Sequence, residues 1–119
     1  MGAQSKFTRY VGTDYVVITP VGALDFYSSP DFRSQVEQAL GEGSAVRLLC
    51  CDCSQVDFMD STALGELVRA RRAARDTGVR FCIVGASATC RQILHWTQLD
   101  TVIPGFDTLA EAIFALDRD

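Results

Sequence analysis

The sequence predicts a single α/β domain with a largely parallel central sheet, and three observations predict it. From Tyr15 onward strand-like and helix-like segments alternate, the order that builds a layered α/β fold. Val46-Arg47-Leu48-Leu49-Cys50-Cys51 is a mostly apolar run of strand length, as expected of a central strand covered on both faces. The chain has 119 residues, the length of one domain. A domain of that size removes roughly 60–70% of its unfolded surface from water. No internal repeat, linker or low-complexity segment interrupts it.

The elements follow in order. Tyr15–Val21 is rich in β-branched and aromatic residues and reads as a strand; Phe7–Val11 is its hairpin partner, joined at Gly12-Thr13-Asp14. Ser29-Pro30 opens a helix, with Ser29 expected at the cap and Pro30 at the first helical position. Phe32, Val36, Ala39 and Leu40 give that helix one apolar face, and Gly41 and Gly43 end it. After the central strand, Val56–Met59 reads as a strand end running into a tight turn. A helix from about Thr62 to Thr77 follows, stopped by Gly78. Leu64, Leu67, Val68, Ala70 and Ala74 are its apolar face. Arg69, Arg71, Arg72 and Arg75 fill its second half, where cations suit the helix dipole, and read as a solvated face rather than a binding patch. Arg80–Val84 is a further strand, closed by Gly85, and Ser87 caps a short helix through Leu94. Thr101–Ile103 reads as a short strand before Pro104-Gly105. Thr108-x-x-Glu111 is a capping box for a last helix with Leu109, Ala112, Ile113 and Leu116 on its apolar face.

Composition narrows the function. Hydrophobic residues make up 48% and charged residues 22%, ordinary for a globular protein. A net charge of −4 argues against a nucleic-acid partner, which would call for a basic surface, and permits attraction to a basic protein surface. No apolar run approaches the roughly 20 residues of a transmembrane helix, and Met1–Lys6 lacks the apolar core of a signal peptide. Lys6 stands where a myristoylation motif needs Ser or Thr. The expectation is a cytoplasmic protein with no direct membrane insertion and no nucleic-acid partner.

The five cysteines, Cys50, Cys51, Cys53, Cys82 and Cys90, are odd in number, and most lie in apolar runs. They read as small buried hydrophobes rather than a secreted disulfide framework. Cys51-Asp52-Cys53 would be half of a metal site, but no second close pair of Cys or His completes it. Asp52, Asp57 and Asp60 fit strand and turn positions as well as they fit a metal cluster. His95 is the only histidine, far in sequence from any candidate nucleophile, and no phosphate-binding glycine loop is present. No catalytic residue, metal or cofactor is expected, and the chain reads as a binding module, not an enzyme.

One turn carries chemistry. Asp60, Ser61 and Thr62 are helix-capping residue types. A serine there sits where free backbone N–H groups and the helix dipole favour an anion. A phosphate on Ser61 would add about −1.5 to −2 charge to the surface. That charge suggests a switch, but an arbitrary Asp-Ser-Thr before a helix is more often only a cap. Phe26 and Tyr27, in a loop after a strand end, either cover the core or belong to an interface, where aromatics are enriched.

Phe58-Met59-Asp60-Ser61-Thr62-Ala63-Leu64-Gly65 resembles the signature of STAS domains of the anti-sigma factor antagonist family, an Asp-Ser-Ser/Thr-Gly-Leu-Gly turn whose first serine is the phosphorylation site. Val21-Gly22-Ala23-Leu24-Asp25, Asp52-Cys53-Ser54-Gln55-Val56, Ile93-Leu94-His95-Trp96-Thr97-Gln98-Leu99-Asp100 and Phe106-Asp107-Thr108-Leu109-Ala110-Glu111-Ala112 are similar to other segments of that family, in the same order. The resemblance runs from about Val16 to Leu116. It implies one STAS domain over residues 1–119, with a core from about 7 to 117 and a mixed, mostly parallel sheet whose helices pack mainly on one face.

The resemblance also implies a function. In the unphosphorylated state the chain would bind an anti-sigma factor serine kinase and release a sigma factor. Phosphorylation of Ser61 would break the complex, and a phosphatase would reset it. The implied partner surface holds Asp25, Tyr27, Asp60, Ser61, Thr62, Ala63, Leu64 and Glu66. The alternatives are a STAS subunit that binds the ATPase of a membrane lipid transporter, and an enzyme or small-ligand binder using Ser61 as nucleophile. Three positions depart from the family pattern: Ala63 and Gln98 stand where Gly is usual, and Ala23 where an acid is usual. Ala63 is costly if its φ is positive and favourable if it is helical.

Overall fold

The computed structural model describes residues 6–41 and 43–117. Strands β1 (Lys6–Val11) and β2 (Tyr15–Leu24) form the expected antiparallel hairpin, with Val11 opposite Val16. Its turn closes through Gly12 N–H to Tyr15 O at 2.8 Å. A side chain at Gly12 would collide with the Tyr15 ring.

β2 is long enough to serve two parallel partners. Its first half, Tyr15–Ile18, pairs with β3 (Leu48–Asp52). Its far end pairs with β4 (Val56–Met59), with a register shift between Gly22 and Ala23. Gly22 sits at φ 87, in the left-handed region open to glycine, and its N–H reaches Gln55 O at 2.9 Å. β3 pairs in parallel with β5 (Arg80–Val84), and β5 with β6 (Gly105–Phe106). The order is β1-β2-β3-β5-β6, with β4 on the far end of β2. Among the described residues only the β1–β2 pair is antiparallel, so the sheet is mixed and mostly parallel, as expected.

The described residues also form four α-helices: α1 (Ser29–Ala39), α2 (Ser61–Asp76), α3 (Ala88–Trp96) and α4 (Leu109–Asp117). The larger core packs Phe32 and Val36 of α1, Leu67, Ala70 and Ala74 of α2 and Leu94 of α3 with Ile18, Leu24, Leu49, Val56, Phe81 and Ile83 of the sheet. On the opposite face α4 supplies Ala112 and Leu116, which pack with Val17, Leu48, Cys50, Cys82 and Val84. Helices therefore lie mainly on one face. Both faces of β3 are covered, which is why Leu48–Cys51 is apolar throughout.

Several boundaries differ from the sequence expectation. Ser28, not Ser29, is the N-cap of α1; Ser29 is already helical, and its hydroxyl donates to Asp25 O at 2.6 Å. Thr101–Ile103 is not a strand. A 3₁₀ turn spans Leu99–Thr101, closed by Thr101 Oγ1 on Gln98 O (2.7 Å) and Ile103 N on Leu99 O (2.8 Å). Local turn bonds there outweigh the β-branched propensity of Thr, Val and Ile. The sixth strand is Gly105–Phe106 instead. Ser87 caps α3 as expected, accepting from Cys90 N at 3.1 Å, but that helix runs on to Trp96. The capping box of α4 is offset: Thr108 Oγ1 accepts from Glu111 N, while the Glu111 carboxylate reaches Asp107 N at 3.3 Å.

Gln98 follows the C-cap of α3 at φ 61, the one non-glycine residue in the left-handed region among the described residues. Side chains with a Cβ are strained there. Gln98→Gly is expected to stabilise the domain by about 0.5–1 kcal/mol, the relief of strain being partly offset by the greater freedom of Gly in the unfolded chain. The midpoint of urea unfolding reads this; an unchanged or lower midpoint would show that the Gln98 side chain holds more than the strain costs.

Candidate functional site

The site begins with strand register. Leu24 of β2 lies opposite Met59 of β4, and both side chains are buried. The next residue outward on each parallel strand is an aspartate, Asp25 on one and Asp60 on the other, so the loop before α1 and the turn before α2 emerge side by side.

Asp60 adopts an extended conformation (φ −105, ψ −179) and is the N-cap of α2. Its Oδ1 accepts from Ala63 N at 3.0 Å, and its Oδ2 accepts from Phe26 N at 3.0 Å in the neighbouring loop. Ser61 is therefore the first helical residue rather than the cap. Its side chain is exposed and makes no hydrogen bond among the described residues. Ala63 is helical, in the first turn of α2, which settles the departure from Gly in favour of Ala.

Asp25 turns its carboxylate inward. Oδ1 accepts from Tyr27 N (3.0 Å) and Ser28 N (3.1 Å), while Asp25 N donates to Ser28 Oγ (2.9 Å). This is the local side-chain turn that Asp favours. The result is a self-supported loop that presents Phe26, 64% exposed, and Tyr27, 80% exposed, with their rings edge to face at 5.4 Å. These aromatics do not cover the core. Beside them lies an open cavity of about 260 Å³ lined by Phe26, Ser29, Pro30, Arg33, Thr62 and Glu66.

Two residues expected at a partner surface are covered instead. Ala63 is wholly buried in the core. Glu66 is only 8% exposed and forms a two-pronged ion pair with Arg33 of α1, Arg33 Nε donating to Glu66 Oε1 at 3.1 Å and Arg33 Nη2 to Oε2. Glu66 pushes the Arg33 pKa further up, chiefly through that hydrogen bond. In the first turns of α2, Ser61 and Gly65 are exposed and Thr62 and Leu64 are half-buried. Sequence reasoning missed Gly65, Pro30 and Arg33. Gly65 was findable, because it lies four residues beyond Ser61 on the same helix face.

The remaining chemistry-bearing residues lie elsewhere. His95, in the last turn of α3, is exposed, and its Nδ1 is 3.1 Å from Asp100 Oδ2. All five cysteines are free and buried. Cys50 and Cys82 face each other across β3 and β5 with sulfurs 3.3 Å apart, and the Cys51 and Cys53 sulfurs are 3.6 Å apart. Thiol hydrogen bonds, then burial, push Cys82 and Cys90 up, and Cys53 is pushed up by its hydrogen bond with Cys51 and by burial, against a lowering by Cys90, so all three are held away from the reactive thiolate. Among the described residues no group of three or more His, Cys, Asp or Glu is placed to hold a metal ion.

The chain is similar to known proteins over most of its length. The STAS domain family matches residues 6–112. The anti-sigma-B factor antagonist of Listeria monocytogenes is 29% identical over 92 residues, covering 76% of this chain and 78% of that protein. An anti-sigma factor antagonist from Mycobacterium paratuberculosis has a solved structure that superposes with a TM-score of 0.81 at 24% identity, over 98% of this chain and 96% of that one. The Bacillus cell fate determinant SpoIIAA in its phosphorylated form superposes with a TM-score of 0.70 at 25% identity, over 93% of this chain and 99% of that one.

Proposed function

The chain belongs to the STAS domain family, and from that premise we propose that it is an anti-sigma factor antagonist switched by phosphorylation of Ser61. Unphosphorylated, it binds an anti-sigma factor that is also a serine kinase and so releases a sigma factor. Phosphorylation by that kinase ends the complex, and a phosphatase resets it. The observation that carries this reading is the exposed, unbonded hydroxyl of Ser61 at the first position of α2, beside the exposed Phe26–Tyr27 pair. A kinase can reach such a hydroxyl without unfolding the helix, and the helix N-terminus favours the charge it adds. The relatives named as anti-sigma factor antagonists, and the existence of a phosphorylated SpoIIAA, support it.

In this reading the partner contacts Tyr27, Ser61, Thr62 and Leu64 directly, with Asp25 and Asp60 shaping the surface. Ala63 and Glu66 support it from behind. The chain supplies a surface and a hydroxyl; the partner supplies the catalysis. It works in the cytoplasm with the transcription machinery. Among the described residues no helix is long and apolar enough to cross a membrane.

The test is phosphopeptide mapping after incubation with ATP and the serine-kinase anti-sigma factors of the source organism. Label is expected on Ser61 and is expected to vanish in Ser61→Ala. That variant folds with well under about 1 kcal/mol of stability lost, because the capping bonds belong to Asp60. Label on Thr62, or label that survives the substitution, would refute the assignment.

A further inference from the structure

We propose that Asp60 is the positioning residue through which the charge state of Ser61 reaches the Phe26–Tyr27 loop. The inference rests on the reading of Ser61 as a phosphosite. The two oxygens of this one carboxylate are divided between two segments that lie far apart in sequence. Oδ1 holds the start of α2 through Ala63 N, and Oδ2 holds the loop through Phe26 N, each at 3.0 Å. The loop's other amides have a different support: Tyr27 N and Ser28 N both donate to Asp25. Phe26 N alone is tied to the switch turn, and no other side-chain hydrogen bond joins the two segments among the described residues.

A phosphate on Ser61 acts on this bracket in two ways. The first N–H groups of a helix have no partner within it, so a dianion at the first position of α2 competes with Asp60 Oδ1 for the Ala63 N–H. It also repels the adjacent carboxylate, which is held at both oxygens by hydrogen bonds rather than by a cation. As Asp60 moves off, Phe26 N loses its acceptor at a place where water can replace it. The Asp25 turn keeps Tyr27 and Ser28 folded, but the aromatic pair is no longer fixed relative to α2. Phosphorylation then does more than add charge: it removes the pre-organisation of the surface that the partner must dock on.

The experiment is amide hydrogen exchange by NMR on the full chain, with phosphoserine inserted at position 61 during translation, so that no kinase is needed. The Phe26 amide is expected to exchange about tenfold faster in the phosphoserine protein, as when a hydrogen bond to a charged acceptor is lost. Tyr27 and Ser28 are expected to stay as they were. In Asp60→Asn, which keeps only one acceptor oxygen, the phosphoserine-dependent increment at Phe26 is expected to vanish. An unchanged Phe26, an equal rise at Phe26, Tyr27 and Ser28, or a full increment in Asp60→Asn would each overturn the proposal. If Asp60→Asn does not fold, the contrast between Phe26 and Tyr27 in the parent chain still decides it. Absence of kinase labelling at Ser61 would remove the functional reading without affecting this measurement.

Discussion

Phosphoserine at position 61 is expected to weaken binding to the proposed anti-sigma factor kinase at least about a hundredfold, or about 2.7 kcal/mol, while the domain stays folded. The magnitude follows from what surrounds the hydroxyl. Asp60 is the neighbouring residue, Asp25 begins the adjacent loop, and Asp57 is exposed on β4, so the added charge joins carboxylates. The cation in the adjoining groove, Arg33, already has its charge balanced by Glu66 through Nε and Nη2. A dianion in the contact must then be desolvated with no unpaired counter-charge already in place beside it. Titration calorimetry with phosphoserine and parent proteins measures the effect, and Ser61→Ala, which adds no charge, should bind close to the parent. Raising the salt should recover only part of the loss, because screening acts on the repulsion and not on the desolvation. Affinities within about threefold of each other would place the partner surface away from Ser61.

Much of this arrangement was legible in the sequence, for identifiable reasons. The alternation of elements, the doubly covered β3 and the apolar faces of α1 and α2 are written in periodicity, which depends only on which side of an element meets the core. The Asp60-Ser61-Thr62 turn was legible as a helix start, but not which of the three caps it. That choice depends on where the Asp60 carboxylate points, and half of the answer is Phe26 N, 34 residues away. Glu66 shows the same limit. A glutamate in the first turns of a helix reads as exposed, and it is buried only because Arg33 of α1 comes within reach. The misread strand at Thr101–Ile103 is a conflict of local terms, in which turn bonds from Gln98 and Leu99 carbonyls outweighed β propensity. Sequence reading succeeded where one element's own pattern decides, and it ran out where a side chain from one segment satisfies the backbone of another.

Phe32→Ala is expected to cost about 3–5 kcal/mol of stability, the largest single loss in the region behind the site. Phe32 is fully buried early in α1, with its ring 6.4 Å from that of Phe7 in β1. It also lines a small cavity of about 80 Å³ between α1 and α2, bordered by Arg33, Val36, Glu66 and Ala70. Truncation would join the space of the lost ring to that cavity beneath the Arg33–Glu66 bridge, so the neighbours cannot close it by small shifts. With total stabilities of about 5–15 kcal/mol for domains of this kind, the variant keeps only part of its margin. Urea unfolding should show a lower midpoint at an unchanged slope, and Phe32→Leu should recover most of the difference by refilling the volume. A loss below about 1.5 kcal/mol would mean that α1 repacks freely on the sheet. The consequence for function follows from position. Phe32 lies one turn after the loop that carries Phe26 and Tyr27, so a loosened α1 frees the aromatic pair from behind while Asp60 holds it from the side. Partner binding by the folded fraction of Phe32→Ala should therefore fall as well, although Phe32 is wholly buried.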